Sequence, residues 1–427
     1  MIVKVKLYGR VIGTLEEIDN QCYFTYEKEF VQSQIQISPL RMPLSNISYS
    51  FPELSYRPFF GLPGLLADSL PDTYGNKIIE DWLVSQGRDV KSFSIAERLC
   101  YVGKRGMGAL EFEPAKTNVR NTATNVQIDK LVQLANDVVN KRKIEGDVST
   151  VNALIKVGTS AGGARAKAIV AYSDKEKRFK TGQVDAGEGY EYYLLKFDGI
   201  DNNKDKDKAD SIYSTRIEYS YYLMCLDCGI HMSETRLLKE DGKYHFLTKR
   251  FDRYVENGKM RKIHMQSLCA MDHVRFDVRQ SYSYEQTCQT MKRIGLGQDE
   301  VEQLFTRMVF NIMARNQDDH VKNISFLMDR DGTWSLSPAY DMSYSYDPTG
   351  YWTGEHQMLV NGKGKNITYH DILECGAKMD IKKSKINKII NKVYNVIKDY
   401  PSYAAKADLP QEAIDELIAN FNLIQPE

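Results

Sequence analysis

The chain is short of most of the features that would narrow its role at once. Lys plus Arg and Asp plus Glu both number 57 in 427 residues, so no excess of one sign points to nucleic acid, a membrane surface or a polyanion. Seven cysteines, an odd and scattered set in so long a chain, do not make a disulfide framework, and a reducing cytoplasm is the simpler expectation. No apolar run approaches the roughly 18 residues of a membrane span. The opening "MIVKVKLYGRVIGTL" alternates apolar and polar residues as a strand does and lacks the apolar core of a signal peptide. The seven histidines include no H-E-x-x-H pair, and no internal repeat is evident. Cys225-Leu226-Asp227-Cys228 is a lone C-x-x-C within the helix-like run "RIEYSYYLMCLDCG", where helical packing is a better account than redox or zinc chemistry.

What is present is an ordinary globular mixture, 42% hydrophobic and 27% charged, long enough for two or three domains. The first fifty residues read as short strands with turns at Tyr8-Gly9-Arg10 and Asp19-Asn20. A helix follows, starting at Ser69 or Asp72 and stopping at Gly87, and Pro114 with "AKTNVRNTATN" marks a boundary near residues 114 to 125. Then come a helix near 126 to 142, a strand, a glycine-rich loop and a strand in "VNALIKVGTSAGGARAKAIVAYS", and a further strand in "YEYYLLKFDG". "DNNKDKDKADS" reads as a charged linker. Helix "TRIEYSYYLMCLDCGI" ends at Gly229, and two strands flank Asp241-Gly242. Beyond about residue 255 the expectation is mainly helix, broken by one hairpin at Asp331-Gly332. The basic stretch Lys382 to Lys398 places Ile386, Ile389, Ile390, Val393 and Ile397 on one side and lysines on the other, a core-packed helix with a solvated face rather than a DNA contact.

The stretch "ARNQDDHVKNISFL" crowds charged and amide groups between two apolar runs. "NISFLM" and "TWSLS" pair as a hairpin, whose open end would bring together Asn323 and Asp341, an amide oxygen and a carboxylate suited to Mg²⁺ shared with substrate phosphates. Asp318 stands five residues before Asn323, the spacing by which kinase catalytic loops separate the hydroxyl-accepting Asp from a metal-binding Asn. Lys322 could offset charge on a transferred phosphoryl group, and His320 could orient Asp318 or a phosphate oxygen. "GTSAGGARAK", Gly158 to Lys167, lets backbone N–H groups approach phosphate but is not a Walker A loop, because Gly163 is followed by Ala164. Lys196 lies inside an apolar strand, costly unless paired, and Glu218 near the start of the next helix is the expected partner. The parts stand in the N-to-C order of a kinase.

These motifs resemble the HipA family of bacterial serine/threonine protein kinases, the toxin half of HipA–HipB toxin–antitoxin pairs. "GLLADSLPDTYGN" and "VGKRGMGALEFEP" are similar to its N-terminal coupling domain. "TSAGGARAKAIV", "YLLKFDG", "IEYSYYLMCLDCGI", "FLTKRFDR", "NQDDHVKNISFL" and "LSPAYDM" resemble its kinase motifs in order. The resemblance implies an α+β, two-lobed protein-kinase-like fold: a β-rich coupling subdomain over 1–115, a mixed-sheet N-lobe over 126–255 and a helical C-lobe over 256–427. It implies that Asp318 is the catalytic base, with His320 and Lys322 assisting, and that Asn323 and Asp341 hold Mg²⁺. ATP would be held by Gly162, Gly163, Ala164, Arg165, Ala166, Lys167, Lys196 and Glu218, by the hinge Lys249, Arg250 and Phe251, where backbone groups bind adenine, and by His320, Lys322, Asn323, Tyr340 and Asp341. Ser160 would be autophosphorylated, expelling the loop from the nucleotide site. The implied substrate is a protein such as an aminoacyl-tRNA synthetase, and the implied partner a HipB-like helix-turn-helix antitoxin through which alone DNA would be met, with no membrane involved. Ala166 stands where many relatives have proline, and "HMQSLCAM" lacks an acidic pair common there, which leaves open what Gln266 and Ser267 do.

Two other readings fit part of the pattern. A small-molecule kinase would use the same catalytic parts, although the N-terminal coupling-like segment argues against it. A kinase-like interaction module would act mainly as co-repressor with a DNA-binding antitoxin, since no helix-turn-helix is convincing in this chain.

Overall fold

Alternation in Ile2–Leu7 (β1) buries Val3, Val5 and Leu7 on one face. Strand β1 pairs antiparallel with Arg10–Ile18 (β2), and β2 with Gln21–Tyr26 (β3). Both connections are two-residue turns with positive φ throughout, 53° and 84° at Tyr8-Gly9 and 50° and 62° at Asp19-Asn20. Ser48–Tyr49 (β4) and Leu110–Glu113 (β5) complete a sheet in the order β4-β3-β2-β1-β5. Helix Ile95–Val102 packs on this sheet. Its N-cap Ser94 accepts from the Glu97 amide at 3.2 Å, while Glu17 on β2 accepts from Ser94 Oγ at 2.6 Å and the Ala96 amide at 3.1 Å.

The computed structural model describes residues 1–71, 73–115, 123–139, 166–200, 204–205, 208–209 and 212–426. The chain divides into two compact units. Unit 1 comprises Met1–Asp205, Leu247–Gln266 and Leu327–Thr333, and unit 2 comprises Lys206–Phe246, Ser267–Phe326 and Trp334–Glu427.

Unit 1 holds a second antiparallel sheet of Asn125–Val126 (β6), Lys167–Ser173 (β7), Arg178–Thr181 (β8) and Glu191–Lys196 (β9), in the order β9-β7-β8-β6. The expected helices appear as Thr73–Ser85, with Gly87 beyond it at φ 70°, and Ile128–Val139; Asp72 lies outside the described residues. Two expectations need correction. A hairpin, Arg253–Glu256 with Lys259–Lys262, occupies part of the region read as mainly helical, and Asn257-Gly258, a strong hairpin dipeptide, was the signal for it. Within the expected charged linker, Lys204–Asp205 and Lys208–Ala209 are short strands.

Unit 2 is built around helices Ser214–Cys228, Gln298–Met313, Lys383–Lys398 and Tyr400–Lys406. Gly229 ends the first of them in the left-handed region at φ 81°. Cys225 and Cys228 are buried on its inner side, and burial pushes the Cys228 thiol up to about 12, so helical packing is their role. Helix Lys383–Lys398 buries the five apolar residues that its spacing singles out. Gly376 lets it come close, since a Cβ there would lie 2.5 Å from Ile386 Cδ1. Among the described residues no helix is long and apolar enough to cross a membrane.

Candidate active site

The loop that follows Gln298–Met313 begins where that helix is made to stop. No glycine is available, and Arg315 takes the left-handed conformation at φ 56°, with the Asn316 amide returning to Asn311 O at 3.0 Å. Tyr221, fully buried, donates its hydroxyl to Ala314 O at 2.5 Å and sets its ring against Phe310 and Tyr400. On one side the loop is fastened to residue 345, by Gln317 N to Ser345 O and Ser345 N to Arg315 O, both 3.0 Å. On the other, the amides of Leu268 and Cys269 donate to Ile324 O and Val321 O at 2.8 and 3.1 Å. Ser267 caps that short helix by accepting from the Ala270 amide, which gives it a structural role.

The two adjacent aspartates are separated by exposure. The Asp318 side chain keeps 23% of its surface and that of Asp319 only 1%. Asp318 can therefore meet a substrate hydroxyl, and Asp319 cannot. Asn323 donates its side-chain amide to Asp318 O at 2.9 Å, which leaves its Oδ1 as the atom that could hold a cation. Asp341 lies past the second hairpin strand with φ 53°, a conformation that Asp tolerates better than most residues. Tyr340 ties this segment to the loop by donating to Lys322 O at 2.6 Å and accepting from Ser325 Oγ at 2.5 Å. Asp319, His320, Asn323, Tyr340 and Asp341 thus line one cavity of about 20 Å³, room for about one water. One amide oxygen and one carboxylate suit Mg²⁺, which keeps waters and shares substrate oxygens. Among the described residues no group of three or more His, Cys, Asp or Glu forms a fuller metal cage.

Lys322 and His320 are placed by a residue that sequence reasoning missed. Phe276 carries Lys322 Nζ 5.0 Å from its ring centroid and faces the His320 ring at 5.7 Å. His320 Nε2 is 3.9 Å from Asp318 Oδ1, too far for a direct hydrogen bond. Arg307 was also missed. It is buried in the same cavity, donates Nη2 to Ser337 O at 2.7 Å, and burial lowers its guanidinium to about 10.

In unit 1, Lys167 and Lys196 are directly opposed across β7 and β9, and both are buried. Two like charges so placed favour a nearby anion. Ala166 precedes them, also buried. Ser160, Gly162, Gly163, Ala164 and Arg165 lie outside the described residues. Glu218 is buried in helix Ser214–Cys228 of unit 2. In the Lys249 to Phe251 segment the Arg250 amide donates to Tyr192 O at 2.8 Å, and Phe251 is half-buried. The side chains there carry more weight than the sequence suggested. Lys249 pairs with Glu191 at 2.5 Å, and Arg250 makes two bonds to buried Asp252, 2.8 and 2.7 Å. Asp252 also accepts from Arg253 Nη1 at 2.9 Å and the Gly108 amide at 2.7 Å. Burial would push its carboxyl up, yet Arg250 and Arg253 hold it well below the usual carboxylate range.

Comparison with known proteins places the chain. The model of the HipA-like C-terminal domain matches residues 159–400, and that of the HipA N-terminal domain matches residues 3–113. The chain belongs to the HipA family. HipA of Shewanella oneidensis MR-1, solved in a toxin–antitoxin complex with HipB and operator DNA, superposes with a TM-score of 0.66 at 15% identity, over 98% of this chain and 94% of that one. The fold is therefore the HipA fold, mixed α and β. The Helicobacter pylori proinflammatory kinase CtkA matches at a TM-score of 0.32 and 13% identity, over 54% of this chain and 88% of that one, too distant to add to the argument. No curated protein matches the chain.

Proposed function

We propose that this HipA-family protein is an ATP- and Mg²⁺-dependent serine/threonine protein kinase with a two-lobed body. The observation that carries the reading is the division of labour within one loop: a partly exposed Asp318, a buried Asp319, and an Asn323 that lines the same cavity as Asp341. Asp318 accepts the proton of the attacking hydroxyl as its oxygen closes on the γ-phosphorus and the bond from that phosphorus to the bridging oxygen breaks, with ADP leaving. Asn323 and Asp341 hold Mg²⁺, which when bound draws charge from the phosphate oxygens. Lys322, held over Phe276, offsets charge on the transferred phosphoryl group, with His320 beside it. Lys167 and Lys196 are the cations for the remaining phosphates. Phosphorylation of Ser160 would add a charge of about −1.5 to −2 close to those phosphates and switch the enzyme off.

The substrate we favour is a protein of the translation apparatus such as an aminoacyl-tRNA synthetase, with growth arrest as the outcome. The test is purified protein with γ-labelled ATP, Mg²⁺ and a cell extract. Label should pass to a protein band and to the chain itself with wild type and not with Asp318→Asn; transfer that survives the substitution would sink the assignment. A second reading is favoured by the Shewanella relative, which was solved with HipB and operator DNA. In it the chain acts with a HipB-like helix-turn-helix partner as co-repressor. Repression that persists in Asp318→Asn would show this role to be separate from catalysis.

A further inference from the structure

Proton transfer to Asp318 leaves its neighbour unused, yet Asp319 is the most elaborately held side chain of the loop. Its Oδ1 accepts from the Gln357 amide at 2.8 Å, and its Oδ2 accepts from Tyr284 Oη at 2.9 Å and meets His356 Nδ1 at 3.0 Å. Tyr284 in turn accepts from Asn311 Nδ2 at 3.0 Å, and Asn311 Oδ1 from Asn316 Nδ2 at 2.9 Å. Among the described residues no lysine or arginine forms an ion pair with Asp319. The carboxylate is thus held by directional donors, not by a point charge, and directional donors fix orientation.

That orientation reaches the proposed metal ligand through the backbone and one hydrogen bond. Asp318 and Asp319 share a peptide unit whose carbonyl is Asp318 O, the acceptor for Asn323 Nδ2 at 2.9 Å. The cradle holds the Asp319 backbone in place and so this plane; without it the plane can turn about the backbone bonds on either side, and with it the direction of Asn323 Oδ1 and of the Asp318 carboxylate. Gln357 supplies only a backbone amide and Tyr284 is tied into helix packing. His356 is the donor that arrives from a separate segment, anchored by its own amide to Gly364 O at 2.8 Å and by Gln280 N to Gln357 O at 2.7 Å. Its ring is 3% exposed.

We propose that His356 is a positioning residue for phosphoryl transfer, acting through Asp319 to set the Asp318 to Asn323 loop. This rests on the kinase reading. Misplacing a reacting group by about an ångström can cost on the order of 100-fold in rate, and loss of one of three donors should cost part of that. His356→Phe, which keeps a ring and removes the donor, should lower kcat about 10-fold while KM for ATP changes less than about twofold. His356→Asn, whose Nδ2 is as many bonds from the backbone as Nδ1, should recover kcat to within about threefold of wild type. Hydrogen exchange of the peptide 314–327 gives a readout that needs no activity: protection should fall in His356→Phe and return in His356→Asn.

Unchanged kcat in His356→Phe, or a loss that His356→Asn does not repair, overturns the proposal. Wild type that transfers no phosphate fails the kinase reading itself. Altered exchange would then mean an anchor without catalytic consequence, which also overturns positioning. If His356→Phe does not fold, Tyr284→Phe removes another donor from the same oxygen and should show the same split of kcat from KM at smaller size.

Discussion

Asp252 in unit 1 and Asp319 in unit 2 are both nearly closed to solvent, and their surroundings differ in kind. Asp252 is clasped by two guanidiniums, Arg250 and Arg253, plus one amide. Arg253 also donates to Gly106 O and Gly108 O, at 2.7 and 2.8 Å, so charge compensation there binds residues 106–108 to the Arg250–Arg253 segment within one unit. Asp319 is held by a hydroxyl, an imidazole and an amide beside a partly exposed carboxylate. Both arrangements are directional, but the first, with two guanidiniums, is costly to break. The second is cheaper to break and still orients its carboxylate, which is what a loop proposed to carry a metal ligand and a base requires.

The comparison can be broken in four ways. The largest effect belongs to neither buried carboxylate: Asp318→Asn should cut phosphoryl transfer by about 10²- to 10⁴-fold and leave thermal stability almost unmoved, read by labelled ATP and a melting curve. Next, Asp252→Asn strands two buried cations and should cost about 3–5 kcal/mol in denaturant unfolding. A loss under 1 kcal/mol would mean that water relieves the arginines.

Acid tests unit 1 in another way. Burial alone lowers the His264 imidazole to about 3 from 6.5, so the unfolded chain takes up its proton first. The stability it contributes is whole above about pH 6.5 and is lost as pH falls toward 3, at roughly 1 kcal/mol per unit. Asp252, whose pKa is depressed, adds loss below about pH 4. Melting curves from pH 7 to 4 should fall, and His264→Phe should flatten them; parallel curves would refute the assignment. The smallest effect is Asp319→Asn, about 1–3 kcal/mol of stability and a fall in transfer smaller than that of Asp318→Asn. Equal falls would put the catalytic register one residue off.

Much of this was legible before the structure, and the gaps have a physical pattern. Alternation and turn chemistry located β1 to β3, and 3.6-residue spacing located the buried face of Lys383–Lys398, because both signals are local. The five-residue step from Asp318 to Asn323 is local too. Asp319 and Asn316 carry no local signal because their partners are remote or plain: His356 and Gln357 lie 37 and 38 residues from Asp319, and Asn311 sits inside a helix. Phe276 resembled any other apolar residue. Nothing in composition says that a lysine will rest on it. Arg315 in the left-handed region was hidden for the opposite reason, since the helix stop lacks the glycine that usually announces one.

The hydroxyl of Tyr8, at the first turn of the chain, has a wider consequence. It donates to Met328 O at 3.0 Å and accepts from the His264 amide at 3.0 Å, joining the first turn to stretches 320 and 256 residues away in sequence. The amino-terminal sheet is therefore a plug and not a removable attachment. A shortened protein beginning near residue 123 would bare those two main-chain groups and strip Arg253 of the Gly106 and Gly108 carbonyls that hold it. Insolubility of such a fragment would reflect an opened interior, and its inactivity would be no evidence that the first hundred residues take part in chemistry.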